Sequence, residues 1–286
     1  MDLLNRLQRI DRRILYLLMA AAISVPLLLR PSRHPDVVFP EVLRAYDTID
    51  RVSSRKIVIV NNWWGPGTEA ENDPQMEALM RHMFARGIKF AVMSWNPAGT
   101  EMTFRTGDRL QKELGKAYGR DWVHLGYKTG DFYVIISGMA ENFPKVMDHD
   151  KFGTKVSKIP MLKGIRSYRD FGVIVEITPS GTVGAWISYV TTPKKIPLVY
   201  CPTAVMSAEA YPYLDSGQIA GMLNGVIGAA QYETLIGREN ARTRAAATAW
   251  ALSVAHILII TLIILGNLGY IATRRAAREQ GGPRAG

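Results

Sequence analysis

The sequence predicts an α/β fold: a doubly wound, mostly parallel five-stranded sheet set between two transmembrane helices. Three observations carry this. Two long uncharged apolar runs lie near the two ends of the 286-residue chain. Between them, short β-branched runs alternate with segments of helical spacing, as in a parallel sheet with crossover helices. The composition, 48% hydrophobic and 21% charged, excludes a disordered or collagen-like chain.

Ile14 to Leu29 carries no charge over 16 residues, and Ala245 to Thr273 has no Asp, Glu, Lys or Arg over 29. A bilayer core takes roughly 20 apolar helical residues, with about 17 as the lower limit. The second run spans outright. The first spans with Arg13 and Arg30 snorkelling at its ends. A cleaved signal peptide is the competing reading, with Arg6, Arg9, Arg12 and Arg13 as its basic region. Arg30-Pro31-Ser32-Arg33 stands where a small-residue cleavage site is needed, which favours an uncleaved anchor. The four N-terminal arginines and Arg274, Arg275, Arg278 and Arg284 place both termini in the cytoplasm of a plasma (inner) membrane protein with two spans. Arg30, Arg33, Arg238, Arg242 and Arg244 fall on the other side, but long loops translocate largely regardless of charge. The expected organisation is 1–13 cytoplasmic, 14–29 transmembrane, 31–247 an extracytoplasmic α/β domain, 249–272 transmembrane and 273–286 a cytoplasmic tail.

Within the domain, Lys56 to Val60 is a β-branched run bounded by Asn61-Asn62, a buried strand. Asp73-Pro74 starts a helix, in which Met76, Leu79, Met80 and Met83 keep helical spacing and which Gly87 ends. Ile88 to Met93 is the second strand, Thr106 to Tyr118 a helix and Trp122 to Leu125 the third strand. Phe132 to Ala140 fits either a strand or a buried helix, and helix is favoured because a parallel strand needs a crossover behind it. Phe171 to Ile177 and Ile196 to Tyr200 are the fourth and fifth strands, with Thr182 to Val190 helical between them. Gly217 to Leu235 is a last long helix, capped by Asp215 or Ser216. The sum is Rossmann-like.

Open parallel sheets bind ligands beyond the carboxyl ends of their strands. That rule selects Asn61, Asn62, Trp63, Trp64, Gly67, Thr68, Ser94, Trp95, Thr178, Ser180 and Thr203 as candidate ligand-binding residues. Hydroxyls, amides and indoles suit a polar or sugar-like ligand, and Ser180 to Thr182 opens a helix where free N–H groups favour an anion. The competing reading is that these residue types are what turns contain. Gly65-Pro66-Gly67 lacks the further glycine of a dinucleotide fingerprint, and no P-loop pattern occurs, so no cofactor is expected.

Catalytic constellations are missing from the pattern. His34, His82, His124, His149 and His256 show no metal-ligand spacing, and no nucleophile elbow is present. Asp148-His149-Asp150 reads as a solvated cluster, so no metal is expected. The lone Cys201 closes an apolar strand, where an inert thiol is usual. The chain is expected not to be an enzyme.

Other features point to contacts. Gly217, Gly221 and Gly225, four apart on the last helix, leave a smooth face for another backbone, either the domain's own or a partner's. His256 and Asn267 share a face of the second span, where polar groups turn toward protein. The partners expected are other membrane subunits or a second copy. Net charge is +10, and residues 145–169 hold seven Lys or Arg against Asp148 and Asp150. This stretch reads as a solvated excursion or, more sharply, as a contact for anionic lipid headgroups or an acidic partner. Nucleic acid is not expected for a domain outside the membrane.

Three segments carry a resemblance: Asn61 to Asn72, His124 to Lys128 and Tyr211 to Gln218. They resemble segments of uncharacterised bacterial membrane-anchored proteins over about residues 50–237, a likeness that implies no activity. The layout of span, outside domain and span is also similar to accessory subunits of gliding-type ABC transporters, by analogy of architecture alone. The expectation is a non-enzymatic subunit of a larger membrane assembly; the alternative is an extracytoplasmic binding domain for a polar small molecule.

Overall fold

The computed structural model describes residues 11–32, 34–238 and 240–280. The chain divides into two compact units, Ser32–Ala241 and Met1–Pro31 with Arg242–Gly286. In chain order the main elements are α1 (Arg12–Leu29), α2 (Pro40–Asp50), β1 (Ile57–Asn62), α3 (Glu69–Arg86), β2 (Phe90–Ser94), α4 (Pro97–Glu113), β3 (Trp122–Tyr127), α5 (Phe132–Glu141), β4 (Phe171–Thr178), α6 (Val183–Trp186), β5 (Leu198–Pro202), β6 (Gly221–Met222), α7 (Gly225–Leu235) and α8 (Arg244–Gln280).

The strands form one sheet in the order β3-β2-β1-β4-β5-β6, every neighbouring pair parallel. This is the Rossmann-like order, and the chain reverses direction across the sheet between β1 and β4. The sixth strand is a correction to the five expected. It has two residues, too few to show any period. All six residues of β1 are buried, because helices or loops cover both faces. Ile57 and Ile59 enter one core with Met139, Phe143 and Trp186. Val58 and Val60 enter the other with Val42, Leu79 and Phe84.

Several elements differ from the sequence reading. α3 begins at Glu69, so Pro74 lies inside it. Asp73 is then no cap; its Oδ1 accepts the Thr106 hydroxyl at 2.8 Å. α4 starts at Pro97, where the Asn96 side chain accepts the Gly99 amide. Thr182 to Val190 is not one α-helix: a π turn, Ile187–Thr191, follows α6.

The long helix from Gly217 to Leu235 is also corrected. Gly217 sits in a turn at φ +73°, Gly221 belongs to β6 and Gly225 starts α7 at φ +50°. The three glycines therefore share no helix face, and the stripe argument falls with the helix. Gly221 has a local reason: a Cβ there would lie 2.2 Å from the Ala45 amide nitrogen of α2. Ser216 caps nothing at α7; its hydroxyl donates to the Pro212 carbonyl at 2.8 Å.

Residues 145–169 are more than a solvated excursion. Met147, Val156, Ile159, Met161, Leu162 and Ile165 are buried in the first core, while Lys155, Lys158 and Lys163 stay outside. Irregular turns thus cover that face of the sheet beside the crossover helix α5.

In the other unit, α1 and the part of α8 from Arg244 to Ala272 are each long and apolar enough to cross a membrane. α8 is buried around Ala245, Ala246, Ala247 and Ala249 at its start; further along, the covered positions include Ala251, Ala255, Leu258, Leu262, Leu265 and Gly269, in steps of four and three, with Val254 and Ala272 beside them. On α1 they are Leu15, Met19, Ala22 and Pro26, the same rhythm. That spacing keeps one seam between paired helices. His256 and Asn267 are exposed, roughly on the opposite side of α8 from the seam.

Candidate functional site

The carboxyl ends of β1 and β4 meet where the sheet order reverses, the place a doubly wound sheet keeps for ligands. β1 ends in two amides that point to opposite faces, since strand side chains alternate. Asn61 pairs in register with Glu176 of β4, and Asn62 with Ser94 of β2.

Glu176 is fully buried. Its carboxylate accepts hydrogen bonds from the Asn61 amide, the Thr182 hydroxyl and the Trp186 indole, the last at 2.7 Å. Asn61 Oδ1 in turn accepts the Trp95 indole at 2.7 Å. Burial away from water raises the Glu176 carboxyl to about 7, although all three donors favour its charged form.

An aromatic roof lies over this cluster. Trp63 and Trp95 stack with ring centroids 5.2 Å apart, and Phe132 stands edge-on to both at 4.9 Å. Trp186 meets Phe132 at 6.0 Å. The crevice is thus filled by the chain's own rings. Beneath them the Glu176 carboxyl is closed off from solvent.

The predicted rim residues do lie at the carboxyl edge, and most are packed inward. Asn61, Asn62, Trp64, Ser94, Thr178 and Thr203 are buried; Trp63, Thr68, Trp95 and Ser180 are half-buried; Gly67 is exposed. Asn62 donates to Ser94 Oγ at 2.9 Å, and its Oδ1 accepts the Trp64 amide at 3.1 Å, closing the turn after β1. Thr178 Oγ1 accepts the Ser180 amide at 3.0 Å. The helix opened by Ser180 to Thr182 is the four-residue α6, too short for an anion site. Three open hollows in this unit involve none of these residues.

Two histidines fasten elements. His82 lies between Asp50 (3.0 Å) and the Tyr232 hydroxyl (2.6 Å), with Tyr46 stacked on its ring at 4.5 Å. The acid–imidazole–hydroxyl order is that of a proton relay, yet Tyr232 is fully buried, so the cluster joins α2, α3 and α7. Burial holds His82 below the usual imidazole range. His124 is buried and held neutral, its value pushed down to about 3 by burial and then by Lys151 and Lys128. Its Nε2 meets Thr103 Oγ1 at 2.9 Å and its Nδ1 accepts the Gly126 amide.

The Asp148-His149-Asp150 segment splits apart. Asp150 accepts the Phe152 and Thr154 amides and the Tyr118 hydroxyl, while Asp148 pairs with His149. Among the described residues, no three His, Cys, Asp or Glu side chains are grouped to hold a metal. Cys201 is buried, and burial pushes its thiol up, away from the reactive thiolate.

Glu176, Phe132 and Trp186 were not selected from the sequence. One signal was there: a single carboxylate inside the apolar run Phe171 to Thr178 needs buried partners. Set against family models, curated proteins and solved structures, the chain matches none of them, so its reading rests on its own geometry.

Proposed function

We propose that this chain is a membrane-anchored, non-enzymatic subunit of a larger membrane assembly, with its Rossmann-like domain presented outside the cytoplasm. The observation that supports this most is the filled crevice. Trp63, Trp95, Phe132 and Trp186 occupy the space where a doubly wound sheet takes a ligand. The buried rim weighs in the same direction against the alternative, a binding domain for a polar small molecule.

The helix pair adds a second support. His256 and Asn267 face away from the seam, and in lipid such groups gain from a protein partner. The arginines toward the chain's two ends, Arg6, Arg9, Arg12 and Arg13 and Arg274, Arg275, Arg278 and Arg284, favour cytoplasmic termini.

Purification of the tagged full chain in mild detergent, followed by cross-linking and mass spectrometry, tests the reading. Specific membrane partners or a homo-oligomer are expected. A wild-type chain that runs as a lone monomer overturns it.

A further inference from the structure

Two hollows of about 620 and 450 Å³ lie side by side and share Pro197 and Ala220. They sit at the edge of the sheet opposite the filled crevice. Lys56 precedes β1, Gly172 lies near the start of β4, Pro197 precedes β5 and Ala220 precedes β6. Together they form one groove across the amino ends of four adjacent strands. At about 4.8 Å per strand gap this is roughly 14 Å, the length of about four extended residues.

The lining is cationic. Arg44, Arg51 and Lys56 stand at one end and Lys195 at the other. Asp47 is the one carboxylate among the described residues lining the hollows, and it is paired with Arg51 at 3.2 Å. Among the described residues, Arg44, Lys56 and Lys195 make no ion pair. Arg51 and Lys195 each stand at a helix C-terminus, of α2 and of the short turn Thr192–Lys194, where the helix dipole favours a cation; Lys56 has no such reason. Val52 and Pro197 contribute apolar surface between the charges.

A polar group also waits there. Thr191 lines the second hollow, is only 3% exposed, and its hydroxyl has no hydrogen-bond partner. A buried hydroxyl left unpaired is costly, and an arriving carbonyl or carboxylate oxygen would satisfy it.

We propose that this groove docks an extended acidic segment of a partner protein. Charge complementarity selects the acidic partner. The shape selects a peptide: both hollows are open, whereas a small-molecule pocket encloses most of its ligand. A lipid surface is flat and would not reach into a concave groove. The inference rests on the reading of the chain as a subunit and names the chemistry of one contact.

The test uses the full chain in nonionic detergent at low salt, with fluorescein-labelled hexaglutamate as probe and hexaglutamine as comparison, read by fluorescence anisotropy. Hexaglutamate is expected to bind more tightly. The triple variant Arg44→Gln, Lys56→Gln, Lys195→Gln, all exposed positions, should weaken it about tenfold. Thr191→Val should weaken it about threefold. Lys155→Gln, Lys158→Gln, Lys163→Gln removes the same charge from another exposed surface and should cost less than about twofold. Lys195→Gly keeps the left-handed backbone at φ +55° and guards against a folding artefact. Equal loss in the two triple variants overturns the proposal, as does equal binding of the two peptides. So does a groove variant that loses binding to phosphatidylglycerol vesicles and keeps the peptide. If the groove variant still co-purifies with every wild-type partner, the groove falls and the subunit reading stands; a lone wild-type monomer overturns the subunit reading itself.

Discussion

Replacing Glu176 by glutamine should make stability less dependent on pH and reverse the order of wild type and variant between pH 5 and 8. The carboxyl is fully buried and moves from 4.5 to about 7 on folding. An acid whose value is raised in the folded state binds extra protons there. Its contribution is present in full below the unfolded value and is lost as pH rises through the folded one. The window is therefore about pH 4.5 to 7, and the 2.5-unit shift corresponds to about 3 kcal/mol. Glutamine has no such titration. It does turn an NH₂ toward donors, since Asn61, Thr182 and Trp186 all point hydrogens at this carboxylate. One contact spoiled in that way costs about 1–3 kcal/mol. Near pH 5 the variant should be less stable by about that amount; near pH 8 it should equal or exceed the wild type. Urea denaturation of the full chain in mild detergent, followed by tryptophan fluorescence, reads this directly, because Trp95 is linked to the cluster through Asn61 and Trp186 touches the carboxylate. A wild-type-minus-variant difference that stays constant within about 0.5 kcal/mol from pH 5 to 8 would refute the reasoning.

His82→Leu should strand the buried Tyr232 hydroxyl, while Asp50 keeps its pairing with Arg86, lowering stability by about 1–3 kcal/mol in the same assay. Because burial lowers the His82 value, its wild-type contribution is present above about pH 6.5 and is lost as pH falls, a trend that the leucine variant should lack. Gly221→Ala should destabilise by about 1–3 kcal/mol through its collision with Ala45, and a thermal melt unchanged from wild type would contradict that packing. His256→Leu with Asn267→Leu should weaken co-purification by about 0.6–2 kcal/mol per lost interhelical hydrogen bond while leaving the domain's melting curve in place. A reporter fused after Gly286 should be active in the cytoplasm, and activity only outside the cell would reverse the orientation.

The buried strands were legible because their residues face apolar cores on both sides. Ile57 to Val60 and Phe90 to Met93 are continuous apolar runs for that reason. The helix at Phe132–Glu141 followed from topology, since a parallel strand needs a crossover before it. α2 was overlooked, although Val42, Ala45 and Ile49 keep helical spacing on its buried side. The glycines from 217 to 225 misled because period four suggests a helix, whereas a left-handed turn, a close approach and a helix start each needed one glycine separately. Glu176 was hidden for a different reason. Its partners Asn61, Thr182 and Trp186 come from other segments, and only the adjacency of β1 and β4 brings Asn61 to it. A local pattern cannot report which strands become neighbours.

The central position of β1 also sets a schedule. Asn61 waits for Glu176, 115 residues further along the chain. At a synthesis rate of about 5–20 residues per second, that interval is roughly 6–23 s, during which one edge of this fully buried strand has no partner. β1 and β2 can pair early, and the product is a sheet fragment with an open apolar border, a template for aggregation. The nascent domain therefore depends on shielding, by a chaperone or by the speed of its own completion, until β4 has emerged.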